Sequence, residues 1–362
     1  MHLFRARNVT MSFLEKMIGS TLKILSKIVA ASPRLRALLY DLRNREEFGD
    51  LYEHEKMLAD TVRTDTYKKA IQKHIGHEDV VLDLGTGTGI LSFFAAKQNA
   101  KKVYAIDHSD FIDMAQKIAR HNNLDNIEFV KTNSRDFKTK IKFDVIIHEQ
   151  IGDYLFNENM VQNLLDLKRR ILKTNGKILP GRFELFLEPV SLREEFNIPY
   201  IWENKSYGID FTILKEYYEE LEKFQPPNYF EEWLDADAVT YFLCDPSPIL
   251  FFDLNMMSSE KEIPRSIQIT KRVKRSGTLN GFCLYFNVIF DDEISFDTSP
   301  VTENTHWGNC LFRLENRRCM EGEVIQYTFT MQDLLDILTW SVSKPRFKKK
   351  KGADLGNMNY LG

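Results

Sequence analysis

The stretch VLDLGTGTGI (81–90) sets Gly85, Gly87 and Gly89 two residues apart, directly after an apolar run that contains Asp83. Glycines at a strand-to-helix turn let the backbone bend tightly and approach a ligand closely, and the first amides of the following helix add donors. Asp107 closes the next apolar run, KKVYAID, 22 residues after Gly85, where a carboxylate accepts from both hydroxyls of a ribose. Together these features describe a site for a nucleoside-bearing cofactor. The glycines fall as G-x-G-x-G rather than as the G-x-G-x-x-G of dinucleotide sites, so a cofactor without a pyrophosphate suits the turn better than a dinucleotide does. Asn133 and Ser134, just after IEFVKT, are further candidates on the adenine side. A second cluster lies in HEQIGDYLFNEN (148–159), where Glu149 and Glu158 flank Gly152 just past the apolar run FDVII. Two like charges held together repel, so this pair calls for a physical reason.

The elements that must position these residues are legible from residue 78 onward. DVVLDLG, a helix through ILSFFAAKQNA, KKVYAID, a helix through FIDMAQKIARHNN, IEFVKT, KFDVIIHE, a helix through ENMVQNLLDLKRRILK, and NGKILPG follow in turn. Short apolar strands alternating with helices predict a parallel sheet covered on both faces. Ligands bind beyond the carboxyl ends of such strands, and that edge carries the glycine turn, Asp107 and Glu149. After Pro180 the period changes to two: Phe282, Leu284, Phe286, Val288 and Phe290 alternate, as do Ile325, Tyr327 and Phe329. An antiparallel β half is expected there. ILKEYYEELEKF (213–224) is expected to be helical until Pro226 and Pro227 stop it.

Bulk properties narrow the class. A chain of 362 residues exceeds one small core, which predicts two structural units, and 43% hydrophobic residues suffice to fill them. A net charge of −3 argues against a general nucleic-acid binder. Cys244, Cys283, Cys310 and Cys319 form no C-x-x-C pair and no disulfide framework, which points to a reducing, cytoplasmic setting without a metal. Residues 1–45 hold nine Lys or Arg against Glu15 and Asp41, with apolar residues at helical spacing between Phe13 and Val29. This basic amphipathic helix fits packing on the domain or on a sister subunit better than contact with a membrane surface. The C-terminal KPRFKKKKG reads as part of a solvated, flexible tail.

Three separated motifs then bring a family into view. HEKMLADTVRTDTY (54–67) contains His54, Met57, Leu58, Asp60, Arg63 and Thr64 in the order H-x-x-M-L-x-D-x-x-R-T. With the two-glutamate stretch and Thr305, His306 and Trp307 of VTENTHWGN, it resembles the protein arginine methyltransferases, a class I S-adenosylmethionine-dependent family. WENKSYGID (202–210) resembles the family's entry to its dimerisation arm. The resemblance runs over roughly residues 48–340. It implies an α/β plus β architecture: a Rossmann-like cofactor domain at 46–180, then a β-barrel substrate domain at 181–343 with a helical arm at about 200–240. The basic extension is 1–45 and the tail 344–362. It further implies a head-to-tail homodimer and S-adenosylmethionine as cofactor.

Methyl transfer from a sulfonium releases a neutral thioether, so the enzyme must chiefly desolvate and align the nucleophile. A guanidinium is planar, always charged, and rich in donors. Under the resemblance, Glu149 and Glu158 clamp it by charge-assisted hydrogen bonds and draw its positive charge away from the target nitrogen. Gly152 permits the hairpin that brings both to one point, and the bound cation offsets their repulsion. Arg63 would bind the cofactor's methionyl carboxylate beside Asp83, Gly85, Gly87, Gly89, Asp107 and Glu149. His306 would pair with Asp60, either to take up a proton after transfer or simply to tie the two halves. Met57, Met160 and Trp307 are the acceptor-side residues.

The chain departs from the family at the acceptor. Where members read S-E-W-M-G-Y, it reads His148-Glu149-Gln150-Ile151-Gly152-Asp153, and two family tyrosines fall on Asn44 and Phe48. The cationic acceptor is therefore expected to be protein arginine, with a small guanidine or amine as the alternative that Asp153 favours. A cofactor-binding scaffold without catalysis is the third reading.

Overall fold

The computed structural model describes residues 50–203, 205–217, 232–234 and 237–348. The amphipathic helix expected over 1–45 lies outside them. The geometry below belongs to the compact unit that begins at Lys56.

Among the described residues, five α-helices precede or interleave the first sheet: α1 (Leu51–Ala59), α2 (Thr61–His74), α3 (Ile90–Lys97), α4 (Phe111–His121) and α5 (Met160–Ile171). The strands are β1 (Val80–Leu84), β2 (Lys102–Asp107), β3 (Ile127–Lys131), β4 (Phe143–His148) and β5 (Leu172–Leu179), ordered β3-β2-β1-β4-β5 and parallel throughout. Val81, Leu82, Val145, Ile146 and Ile147 are wholly buried, as a strand covered on both faces requires. On α4 the buried residues Phe111, Ile112, Ala115 and Ala119 mark one helical face, leaving Arg120 and His121 outward. The strand order reverses between β1 and β4, which opens a crevice at their carboxyl ends. The glycine turn follows β1 and the glutamate loop follows β4.

The second half contains β6 (Arg182–Leu192), the short hairpin β7 (Lys205–Ser206) and β8 (Ile209–Asp210), β9 (Glu232–Leu234), β10 (Val239–Phe242), β11 (Leu250–Asp253), β12 (Ser266–Arg272), β13 (Gly277–Ile289), β14 (Ser295–Asp297), β15 (Asn309–Cys319), β16 (Val324–Met331), β17 (Trp340–Val342) and β18 (Arg346–Lys348). One antiparallel sheet runs β10-β6-β13-β15-β9, with β11 on β6 and β14 on β13; the other runs β12-β16-β17, with β18 on β16. Their inner faces share a core in which Phe329 meets Phe312 and Trp340 edge-on, each at 5.7 Å.

Two expectations need correction. Thr212–Tyr217 forms a 3-10 helix instead of the first turns of an α-helix, and the rest of 213–224 lies outside the described residues. Thr212 is drawn into the preceding turn: its amide and hydroxyl both donate to Asp210 Oδ1, at 2.9 and 2.6 Å. Within the stretch expected as a flexible tail, Arg346–Lys348 pairs with β16 and Arg317 lies 3.4 Å over the Phe347 ring, while 349–362 lie outside the described residues.

Candidate active site

The glycine turn is built as its sequence demands. Gly85, Gly87 and Gly89 all have left-handed backbones, with φ of 73°, 51° and 95°. A Cβ on Gly89 would lie 2.4 Å from the Phe93 ring, whereas one on Gly85 would meet nothing within 4 Å. Gly85 thus faces open space beside the crevice. Asp83, wholly buried, accepts from Thr86 Oγ1 at 2.8 Å and Ser92 Oγ at 2.6 Å, so it braces the turn. Burial pushes its carboxyl up to about 6 even against those donors. Asp107 accepts from the Gly87 amide at 2.8 Å and the Ser109 amide at 2.7 Å, locking the two strand ends together.

Arg63 reaches this edge from the first turn of α2. Its Nη1 donates to the Met57 carbonyl at 2.8 Å, and Nη2 lies 3.5 Å from a Glu149 oxygen. Its Nε is buried without a partner, as is Nε2 of His108 beside Asp107. Orphaned buried donors are costly. These two flank an open glycine face, and they suit a ligand that brings a carboxylate and a ribose.

One helical turn beyond Arg63, Tyr67 is fully buried and donates to the His148 carbonyl at 2.9 Å. Burial, reinforced by the charges of Glu149 and Glu158 among others, pushes its phenol well above the usual range. The loop between the two glutamates is tightly wound: Gly152 and Leu155 form a bridge, Tyr154 donates its amide to Asn157 Oδ1 at 3.1 Å, Leu155 is left-handed at φ of 73°, and so is Asn159 just after Glu158, at 56°. A Cβ on Gly152 would lie 2.1 Å from Asn157 Oδ1, so only glycine fits there without displacing that cap. Gln150, where the family carries an aromatic, accepts from Asn163 Nδ2 of α5 at 3.2 Å.

The second half grips this edge through consecutive residues of one loop. Asp60 caps α2 by accepting from the Arg63 amide at 2.9 Å, and its other oxygen accepts from the His306 amide at 2.9 Å and meets His306 Nδ1 at 2.8 Å. Burial raises the Asp60 carboxyl, but these bonds outweigh it and hold the pKa below the ordinary value. Trp307 donates to the Ile151 carbonyl at 2.8 Å and stacks on Phe296. The buried indole thus fastens the glutamate loop. Met160 likewise packs wholly in the core, because α5 turns its first residue inward. Met57 offers Arg63 its carbonyl. Asn133 and Ser134 secure the loop after β3, through Asn133 Oδ1 to the Arg135 amide at 3.0 Å and the Ser134 carbonyl to Arg170 at 2.8 Å.

Sequence reasoning overlooked Tyr67, His108 and His148 as site residues. Tyr67 had a signal, since it lies four residues after Arg63 and shares its helical face. His108 and His148 had only their adjacency to Asp107 and Glu149.

The chain is similar to known proteins over most of its length. Residues 75–222 match the family model described as a methyltransferase domain, and residues 182–337 match that of the arginine methyltransferase oligomerization subdomain. Protein arginine N-methyltransferase 6 of Danio rerio is 30% identical over 299 residues, covering 78% of this chain and 83% of its own. The chain belongs to the protein arginine N-methyltransferase family. Among solved structures, Arabidopsis thaliana protein arginine methyltransferase 10 superposes with a TM-score of 0.67 at 27% identity, over 84% of this chain and 95% of that one. Trypanosoma brucei PRMT1, in an enzyme-prozyme complex with AdoHcy, gives 0.66 at 25% identity, over 78% and 89%. This methyltransferase thus uses S-adenosylmethionine and acts on a guanidino, arginine-type nitrogen. It also carries the family's means of dimerising.

Proposed function

We propose that the acceptor is arginine within a protein, held by Glu149 and Glu158. The supporting observation is Glu149 at the carboxyl edge of β4, 3.5 Å from Arg63, with the wound loop that leads on to Glu158 fastened by Trp307 at the Ile151 carbonyl. When bound, S-adenosylmethionine supplies an electrophilic methyl group. Arg63, with its orphaned Nε, would hold the methionyl carboxylate; Asp107, near the orphaned His108 nitrogen, would hold the ribose. The open face at Gly85 leaves room for the cofactor's backbone-hugging approach. Glu149 and Glu158 orient the guanidinium and draw charge from the nitrogens they touch, leaving the third nitrogen's lone pair for attack. Asp60 and His306 fix the mouth of the site. His306 Nδ1 faces Asp60, so its remaining ring nitrogen is the one that would take up a released proton.

The arm supports a head-to-tail dimer. Ile201, Tyr207, Ile209, Ile213 and Tyr217 expose apolar surface within 201–217, and Tyr207 is fully exposed. The four cysteines are buried thiols, which suits a reducing cytoplasmic setting. A small guanidine or amine is the second reading, favoured by Gln150 and Asp153 in place of acceptor-side aromatics.

The deciding experiment incubates the full chain with methyl-labelled cofactor and arginine-rich proteins, and separately with free arginine and small guanidines. Label on protein guanidino nitrogens, lost in Glu149→Gln, is expected. Label on small molecules alone moves the function to the second reading. Label on proteins that persists in Glu149→Gln refutes the clamp.

A further inference from the structure

His148 stands where the family usually has serine, and nothing above gives it a task. Its ring is wholly buried, with Nε2 2.8 Å from the Pro180 carbonyl and Nδ1 3.4 Å from the Gln150 amide. A carbonyl only accepts, so Nε2 carries the proton and Nδ1 presents its lone pair to the Gln150 N–H. One neutral ring thus satisfies a donor of the glutamate loop and an acceptor of the connector between β5 and β6. The carbonyl of the same residue is gripped by Tyr67 of α2 at 2.9 Å. Three separate parts of the chain converge on the residue immediately before Glu149. A serine hydroxyl is too short to reach two such neighbours.

We propose that His148 is a positioning residue for Glu149, its imidazole fixing the direction in which the glutamate loop leaves β4. This rests on the reading of Glu149 as a guanidinium ligand. The Glu149 peptide is spanned by the ring, since residue 148 anchors one side and the Gln150 amide the other. With that span closed, the Glu149 carboxylate approaches Arg63 from a set angle. A clamp that must hold a planar cation to within a fraction of an ångström depends on such bracing. The brace itself is uncharged, so it leaves the carboxylate's charge undiminished for the acceptor.

Two substitutions separate the two halves of the span. His148→Gln places an amide donor where Nε2 lies, keeping the Pro180 bond while abandoning the Gln150 amide. His148→Asn places an acceptor near Nδ1, keeping the Gln150 amide while abandoning Pro180. In the full-length enzyme, H148Q is expected to exchange the backbone amides of residues 149–158 at least tenfold faster than wild type. Its kcat should fall at least tenfold, with acceptor KM and the affinity for the demethylated cofactor within threefold. H148N should recover at least threefold of that loss in kcat. Exchange and kcat of H148Q both within twofold of wild type would overturn the proposal, as would faster exchange with unchanged kcat. If H148Q fails to fold, H148N supplies the same two readouts against wild type. A wild-type enzyme that methylates no guanidine counts against the acceptor reading, while the exchange rates still decide whether His148 holds the loop.

Discussion

Glu158→Gln removes one charge from the clamp and keeps its shape. Loss of a single charged contact to the reacting group costs about 10²–10³ in kcat/KM, or roughly 3–4 kcal/mol. The affinity for cofactor, measured by calorimetry, should stay near wild type. Glu149→Gln should weaken both, because the same carboxylate lies beside Arg63. Gly152→Ala pushes Asn157 off the Tyr154 amide, a forced repacking worth about 1–3 kcal/mol that a shift in the denaturation midpoint will register. At this scale the sequence speaks unevenly. Glu149, Glu158, Arg63 and Asp60 stand out because their types and spacing belong to a motif. Tyr67 shares the helical face of Arg63, but its meeting with His148 joins residues 81 apart, and no local pattern encodes it. Met160 and Trp307 show a related limit: a motif identifies a neighbourhood, and only packing shows that both side chains are buried there.

Among the elements, α2 has the most to lose from one change. Asp60→Ala removes its N-cap and leaves the His306 amide without its acceptor, which together should cost about 2 kcal/mol or more in unfolding free energy. A double-mutant cycle with His306→Ala should yield a coupling of about 0.5–3 kcal/mol, as contacting partners give. A coupling seen in stability and absent from the pH-rate profile would make the pair a tie; one seen in both would make it a relay as well. The parallel sheet was legible because short strand-like runs, of which β1, β2 and β4 are largely buried, alternate with helices over long enough stretches for period to show. Thr212–Tyr217 and Arg346–Lys348 were misread because a 3-10 helix stabilised by one aspartate and a three-residue strand leave no period to find.

For the molecule as a whole, two buried groups pull stability in opposite directions with pH. Burial holds His148 at about 4, below its ordinary value, so the unfolded chain takes up a proton that the folded one refuses. Stability from this source is intact above about pH 6.5 and falls by roughly 3 kcal/mol as pH drops to about 4. Asp83 is raised to about 6, so its contribution is full below about pH 3.8 and is lost, by a similar amount, as pH rises through 6. Wild-type stability should consequently vary little from these two sources between pH 4 and 6.5. His148→Gln should grow steadily more stable relative to wild type on acidification, and Asp83→Asn should do so on alkalinisation; urea titrations at several pH values read both. Sedimentation should find a dimer at micromolar concentration, and Ile209→Asp, which places a charge in the exposed apolar strip of the arm, should shift it towards monomer.

The neighbouring grips of His306 on Asp60 and Trp307 on Ile151 have a consequence for dividing the chain. A gene split after Gly181 separates both contacts from the elements they hold, yet breaks no strand of either half. The first fragment would keep its parallel sheet but lose the outside anchors of the start of α2 and of the glutamate loop. Supplied in trans, the second fragment should restore them when residues 305–307 dock together with the contacts of Asp291 to His74 and of Asn255 to Ile178.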